Sequence, residues 1–336
     1  MIWYKDNNDG IIISTRIRLA RNLDGIPFPN ALRAANKSAE IQAAITQVRD
    51  AVKSSEYADE MVYLDLNNAD ELNKLSLEEE HLISPQLSEG KDKGVILNKD
   101  NTVSIMLMEE DHIRLQVIYG GFKLDEAYAR ANAIDDAIEA GVTYAFDDEF
   151  GYLTACPTNT GTGMRASVML HLPALTYTKN ISRIIASATG MGIEIRGMYG
   201  EGTDADGCLY QISNCATLGL SEQETIEKLK SIVNQIKDAE LKAREQLMSR
   251  NKDAIEDMAW RAYGTLKYAR SMSSAEAKKL LSQVMMGVNM GIIEVKGELS
   301  PLECMIKATP SMISGGKEMS AAQRDSARAE MLRNML

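Results

Sequence analysis

Five arginines stand at strand or turn positions in polar surroundings. Arg16 and Arg18 lie in Ser14-Thr15-Arg16-Ile17-Arg18, Arg114 in an alternating apolar stretch, Arg165 after a glycine-rich turn and Arg196 before another. Residues i and i+2 of a strand share a face, so Arg16 and Arg18 should point the same way. A guanidinium is a planar fork, charged at any working pH, that grips phosphate oxygens through two parallel bonds. Singly, each arginine reads as a surface ion-pair residue. Converging, five could hold a triphosphate without a glycine-rich phosphate loop. The usual loop is absent: around Gly316-Lys317, Ser311 replaces the first glycine of GxxxxGK[ST] and Glu318 replaces Ser/Thr. Gly161-Thr162-Gly163-Met164-Arg165-Ala166 follows Pro157 and makes a poor dinucleotide fingerprint.

Acids flank these arginines. Glu109-Glu110-Asp111-His112 runs directly into Ile113-Arg114, and Glu201 follows Arg196-Gly197-Met198-Tyr199-Gly200. Carboxylates do not bind phosphate, so acids beside a phosphate cradle need a cationic partner. A guanidinium fits, since a carboxylate accepts it in a two-bond fork. It is a poor nucleophile while protonated, and one or two glutamates could orient it and take a proton as its nitrogen attacks a γ-phosphorus. The plainer reading of a Glu-Glu-Asp run is a solvated acidic turn.

The segments Ser14–Arg18, Glu109–Arg114, Cys156-Pro157-Thr158-Asn159-Thr160-Gly161-Thr162-Gly163-Met164-Arg165-Ala166-Ser167 and Arg196–Glu201 resemble, in order and spacing, the motifs of the phosphagen (guanidino) kinase family, and most closely its bacterial protein-arginine-kinase branch. The resemblance implies that Arg16, Arg18, Arg114, Arg165 and Arg196 contact ATP phosphates. It implies a nucleotide site lined by Ser14, Thr15, Arg16, Ile17 and Arg18, by Arg165, Ala166, Ser167, Val168 and Met169, and by Arg196, Gly197, Met198, Tyr199, Gly200 and Glu201. Glu110 and Glu201 would grip the substrate guanidinium, one acting as base. His81 matches a family histidine near the nucleotide, and Cys156 a cysteine beside the guanidinium. ATP and Mg²⁺ are the implied cofactors, the metal held mostly by phosphate and water. Leu107-Met108 departs from the tryptophan and asparagine usual in small-substrate members, and Thr160 from a common aliphatic residue.

The elements that must position these residues read as α+β. Ile11–Ile13 with Ile17–Leu19, Val95–Leu97, Val103–Leu107, Ile193–Tyr199 and Cys208–Ser213 read as strands, and Ile113, Leu115 and Val117 alternate with Arg114 and Gln116 as a half-buried strand. Ser38 to about Glu56 and Leu124–Glu139 have helical spacing. Short turns between strands imply antiparallel pairing. After Ser221 the pattern turns helical. Ser221-Glu222-Gln223-Glu224 and Ser273-Ser274-Ala275-Glu276 are capping boxes, the first followed by a stripe of Ile226, Leu229, Val233 and Ile236. The expectation is an antiparallel sheet flanked by helices over residues 1–220, the guanidino-kinase catalytic domain, then an all-helical regulatory and dimerisation domain over 221–336.

The chain has 336 residues and net charge −11, which disfavours direct nucleic-acid binding and suits a cationic substrate. Four scattered cysteines form no framework or zinc spacing. No secretion signal and no apolar run of spanning length is apparent, so a cytoplasmic location is expected. Small guanidino kinases carry a helical domain before the catalytic one. Only 13 residues precede Ser14, so the substrate end should be open to an arginine displayed on a protein. Arg324-Asp325-Ser326-Ala327-Arg328-Ala329 resembles the RDxxRA motif of the protein-arginine branch, implying an allosteric phosphoarginine site at Arg324, Asp325 and Arg328. At i and i+4, Arg324 and Arg328 should project together from a helix. The resemblance also implies a homodimer, an activator protein (McsA-like), a ClpC-type unfoldase, a heat-shock repressor and a stress-response role. The alternatives are a kinase for free arginine and a catalytically silent phosphoarginine-binding adaptor.

Overall fold

Among the described residues, the apolar and β-branched runs of the first two-thirds form ten strands: β1 (Ile12–Arg21), β2 (Met61–Asp65), β3 (Gly94–Asn98), β4 (Val103–Leu107), β5 (Ile113–Gly120), β6 (Phe146–Asp147), β7 (Gly151–Tyr152), β8 (Met164–His171), β9 (Ile193–Gly197) and β10 (Leu209–Asn214). The computed structural model describes residues 3–5, 9–197, 206–294 and 300–336. Eight strands make one sheet in the order β2-β3-β4-β5-β1-β8-β10-β9, and β6 and β7 pair as a separate hairpin. The pairs β2–β3, β3–β4, β4–β5 and β5–β1 are antiparallel. Strand and helix expectations hold closely; the helices Ser38–Ser54 and Leu124–Glu139 lie where the periodicity puts them.

One expectation is corrected. β5 is buried on both faces rather than half-buried, with Gln116 only 3% exposed. The segment around His81 covers the Gln116 side of the strand, and Gln116 is tolerated there because its Nε2 donates to the His81 carbonyl at 2.7 Å.

The chain divides into two compact units: Met1–Asp6, Ser14–Ser167 and Ser213–Lys230 form the first, and Asn7–Ile13, Val168–Ile212 and Ser231–Leu336 the second. In the first, Val95, Ile105, Leu115, Val117 and Ile17 are fully enclosed. Each such side chain contributes about 1.5–3 kcal/mol through burial. The second is mainly helical. The helix Glu222–Tyr268, whose residues up to Lys230 are counted with the first unit, starts at the expected capping box, where the Ser221 hydroxyl accepts from the Glu224 amide at 3.3 Å and the Ser221 amide donates to Glu224 Oε2 at 2.8 Å. It kinks at Asn251 (φ −139°, ψ 39°). Helices Ser274–Asn289, Pro301–Lys307, Pro310–Ser314 and Ala321–Met335 follow. Among the described residues, no helix is long and apolar enough to cross a membrane.

Candidate active site

Register decides which arginines meet. On β1, Arg18 lies opposite Gln116 of β5, and Ala20 opposite Arg114. Directly opposed residues share a face, and so do i and i+2 neighbours. Arg16, Arg18, Gln116 and Arg114 therefore share one face of the first unit. β8 lies on the other side of β1 and brings Arg165, whose Nη2 donates to Ser213 Oγ of β10 at 3.0 Å. Burial, then the charges of Arg114 and Arg165, lower the Arg16 guanidinium to about 10, still cationic at neutral pH. Burial, then Arg16, Arg114 and Arg165, push Arg18 well below its ordinary value, with Glu109 opposing. Guanidinium groups do not give up their proton in this range, so the stress is unmet demand for negative charge. The Arg18 Nε is buried with no hydrogen-bond partner among the described residues.

The counter-charge within this cluster is Glu109. Its carboxylate takes Arg114 and the Ser84 hydroxyl. Burial raises it, but Arg114, Ser84 and Arg18 outweigh burial and hold it below the usual carboxylate range. Of these two glutamates the sequence expectation names Glu110 and gives Glu109 no role; the structure pairs Glu109 with Arg114. Residue order places Arg114 just after the acidic run, but only the fold decides which glutamate meets it.

Glu110 occupies the tip of a closed turn. The Met108 amide donates to the His112 carbonyl at 3.0 Å, and Met108 itself has φ +60°. Every flank of Glu110 is tied down. Arg33 donates to the Met108 and Glu109 carbonyls. Asp111 accepts from Asn22 Nδ2 and from the Ala155 amide, each at 2.7 Å. His112 Nδ1 accepts from the Leu23 amide at 3.0 Å. Glu110 alone of the three acids has no hydrogen-bond or ion-pair partner among the described residues. Burial, then Asp111 and Glu109, raise its carboxyl above the usual value despite Arg114. A raised carboxylate beside an arginine cluster is suited to accept a proton.

The Ala155–Asp111 bond also brings Cys156 to this turn, because Cys156 is the next residue. Its Sγ lies 3.0 Å from Thr158 Oγ1. His81 adopts φ +61°, and its ring centroid lies 5.9 Å from that of Trp3. Its carbonyl anchors Gln116, the residue opposite Arg18.

Other expected site residues are placed as follows. Ser14, Thr15 and Ile17 are buried in β1, Thr15 Oγ1 donating to the Gly121 carbonyl at 2.7 Å. Ala166, Ser167, Val168 and Met169 are buried in β8. Arg196 belongs to the second unit, where its exposed guanidinium meets Glu194 at 2.5 Å. Gly197 ends β9. Met198, Tyr199, Gly200 and Glu201 lie outside the described residues. Among the described residues, no group of three His, Cys, Asp or Glu could hold a metal ion.

In the second unit, the i, i+4 expectation of two arginines projecting together is corrected. Arg324 is partly exposed and donates to the Met319 carbonyl at 2.8 Å. Arg328 is 1% exposed, and its guanidinium is spent on the Ala308 carbonyl (2.6 Å), the Met272 carbonyl (2.8 Å) and Asp325 Oδ1 (2.6 Å). Buried donors must be satisfied locally, and three acceptors surround this side chain.

Residues 43–243 match the family of the ATP:guanido phosphotransferase C-terminal catalytic domain, and residues 252–336 the protein-arginine kinase McsB C-terminal domain. A protein-arginine kinase of Moorella thermoacetica is 44% identical over 329 residues, covering 97% of this chain and 94% of that protein. One of Bacillus subtilis is 43% identical over 340 residues, covering 99% and 93%. In three dimensions, a lombricine kinase superposes with TM-score 0.61 at 25% identity, over 71% of this chain and 68% of its own. The chain thus belongs to the ATP:guanido phosphotransferase family, in its protein-arginine kinase group, and is an ATP-dependent phosphotransferase.

Proposed function

We propose that this enzyme transfers the γ-phosphoryl group of ATP to the guanidinium of arginine residues in proteins. One observation carries the reading: four arginines share a site with Glu109 as counter-charge, beside a rigid turn whose tip carboxylate, Glu110, is unpartnered among the described residues. The relatives in the protein-arginine kinase group support the acceptor.

In this reading Arg16, Arg18, Arg114 and Arg165 hold the phosphates, with Arg196 joining them, and fixed cations need no reorganisation as charge shifts toward the leaving ADP. Glu110 orients the incoming guanidinium and takes a proton as the nitrogen–phosphorus bond forms and the bond to the β-phosphate oxygen breaks. Glu201 is assigned the second grip on the guanidinium. Mg²⁺ held by phosphate and water oxygens would supply charge neutralisation, with no protein ligand assigned to it. Residues 1–220 are assigned to catalysis and 221–336 to regulation and dimerisation, with phosphoarginine recognised at Arg324, Asp325 and Arg328. An McsA-like activator, a ClpC-type unfoldase and a heat-shock repressor are the proposed partners.

Incubation with γ-labelled ATP, an unfolded protein acceptor and free arginine tests this. Acid-labile label should enter protein and be lost in Glu110→Ala and Glu201→Ala. Label confined to free arginine would make it a metabolite kinase, and no transfer at all would leave a binding protein.

A further inference from the structure

An apolar groove of about 260 Å³ lies in the first unit beside the β6–β7 hairpin. Thirteen large hydrophobic residues are exposed among the described residues, and four of them, Phe146, Phe150, Leu218 and Leu220, line this one groove at 41–57% exposure. A soluble surface rarely concentrates apolar side chains so, and such a patch marks an interaction site. Its wall is held rigid. The Arg21 guanidinium stacks 3.6 Å from the Tyr152 ring centroid and is itself locked to buried Asp135, while the Phe146 ring meets Tyr152 edge-on at 5.2 Å. Preformed aromatic walls cost little ordering entropy when a chain binds.

The groove also touches the base of the loop that carries Cys156. The Tyr152 amide donates to the Gly161 carbonyl at 2.8 Å, closing the loop 153–160. Gly161 is wedged there at φ +117°, where a Cβ would lie 2.3 Å from the Thr217 carbonyl oxygen. Three residues beyond Tyr152, the Ala155 amide binds Asp111, the neighbour of Glu110. At no more than about 3.6 Å per residue, this path puts the groove within about 20 Å of Glu110. An extended polypeptide covers that span in roughly four to six residues. Acids frame the groove: Glu149 and Glu222 line it, and Asp148 is exposed on the same hairpin turn.

Building on the proposed protein-arginine acceptor, we infer that this groove is a docking subsite for the substrate chain. It takes an aliphatic or aromatic residue four to six positions from the target arginine, with lysine or arginine beside it. A metabolite has nothing to place there. A flanking protein segment does, and its basic neighbours complement the acidic rim.

The test uses two unstructured peptides, each with one arginine. One carries leucine five residues away on both sides; the other has serine in both places. The subsite makes KM for the leucine peptide lower by about fivefold or more, the order that a single apolar side chain commands. In the Phe150→Ser/Leu218→Ser enzyme the KM ratio falls to near one, while the serine peptide is still turned over, reporting a folded enzyme. Equal KM values with the unaltered enzyme overturn the inference and leave protein-arginine transfer standing. So does a preference that survives the double substitution, or sedimentation of that variant as a smaller species, which would assign the groove to a second copy of the chain. No transfer to either peptide or to an unfolded protein removes the parent reading and the subsite with it.

Discussion

Glu109 and Glu110 are neighbours with opposite fates, and the difference is what surrounds each carboxylate. Glu109 is enclosed and spent on Arg114; removing it leaves a guanidinium in a cationic, half-buried place. Glu109→Ala should cost about 3–5 kcal/mol of stability, read from chemical denaturation. Its folded carboxyl lies below its unfolded value. The pair's contribution is therefore complete above the ordinary glutamate value of about 4.3 and is lost as pH falls through the folded one; in Glu109→Ala that acid sensitivity should shrink. Glu110 goes the other way. Its raised carboxyl should put the acid limb of kcat/KM above the usual glutamate range, with activity rising as the group ionises. Glu110→Gln should lower kcat by roughly 10²–10⁴ and flatten that limb. A limb unchanged in Glu110→Gln would assign the base elsewhere.

At the scale of elements, the chemistry depends on two loops braced against each other. The turn Met108–His112 is closed by one backbone bond, and Asp111 reaches out of it to Asn22 and to the Ala155 amide. Asp111→Ala breaks both contacts while sparing Glu110 and Cys156. It should destabilise the fold by about 1–3 kcal/mol and depress kcat/KM more than a surface substitution would. Both bonds end on Asp111 Oδ1, and Asp111→Asn keeps a carbonyl oxygen able to accept both, so it should recover much of both losses. If Asp111→Ala had wild-type kinetics, the turn would not be the positioning device described.

At the scale of the molecule, the second unit separates two arginines that look alike in sequence. Arg328 ties the helix Ala321–Met335 to the Ala308 and Met272 carbonyls. Arg328→Ala strands these acceptors in a buried place, and its thermal midpoint should fall by several degrees. Arg324, partly exposed, donates to the Met319 carbonyl. Arg324→Ala should keep a near-native midpoint yet blunt activation by added phosphoarginine; full activation would remove Arg324 from the regulatory site. The net charge of −11 adds a bulk effect. Transfer to a basic acceptor should slow as ionic strength rises from about 0.01 to 0.15 M.

Much of this was legible in residue order, because local physics writes itself into spacing. The alternation of β1, the strand–turn–strand of β3 and β4, the helix Leu124–Glu139 and the Ser221 capping box each follow from contacts within a few residues. Arg16 and Arg18 sharing a face follows from period two alone. What tertiary structure decided is pairing between distant segments. Folding set Arg18 against Gln116, gave Glu109 to Arg114 and left Glu110 without a partner among the described residues. It buried Arg328 among carbonyls that no helical wheel displays, and gathered Phe146, Phe150, Leu218 and Leu220 from two stretches about seventy residues apart. A side chain's partners depend on which strands lie together, so a carboxylate's charge state and an arginine's freedom are properties of the packed sheet rather than of the motif.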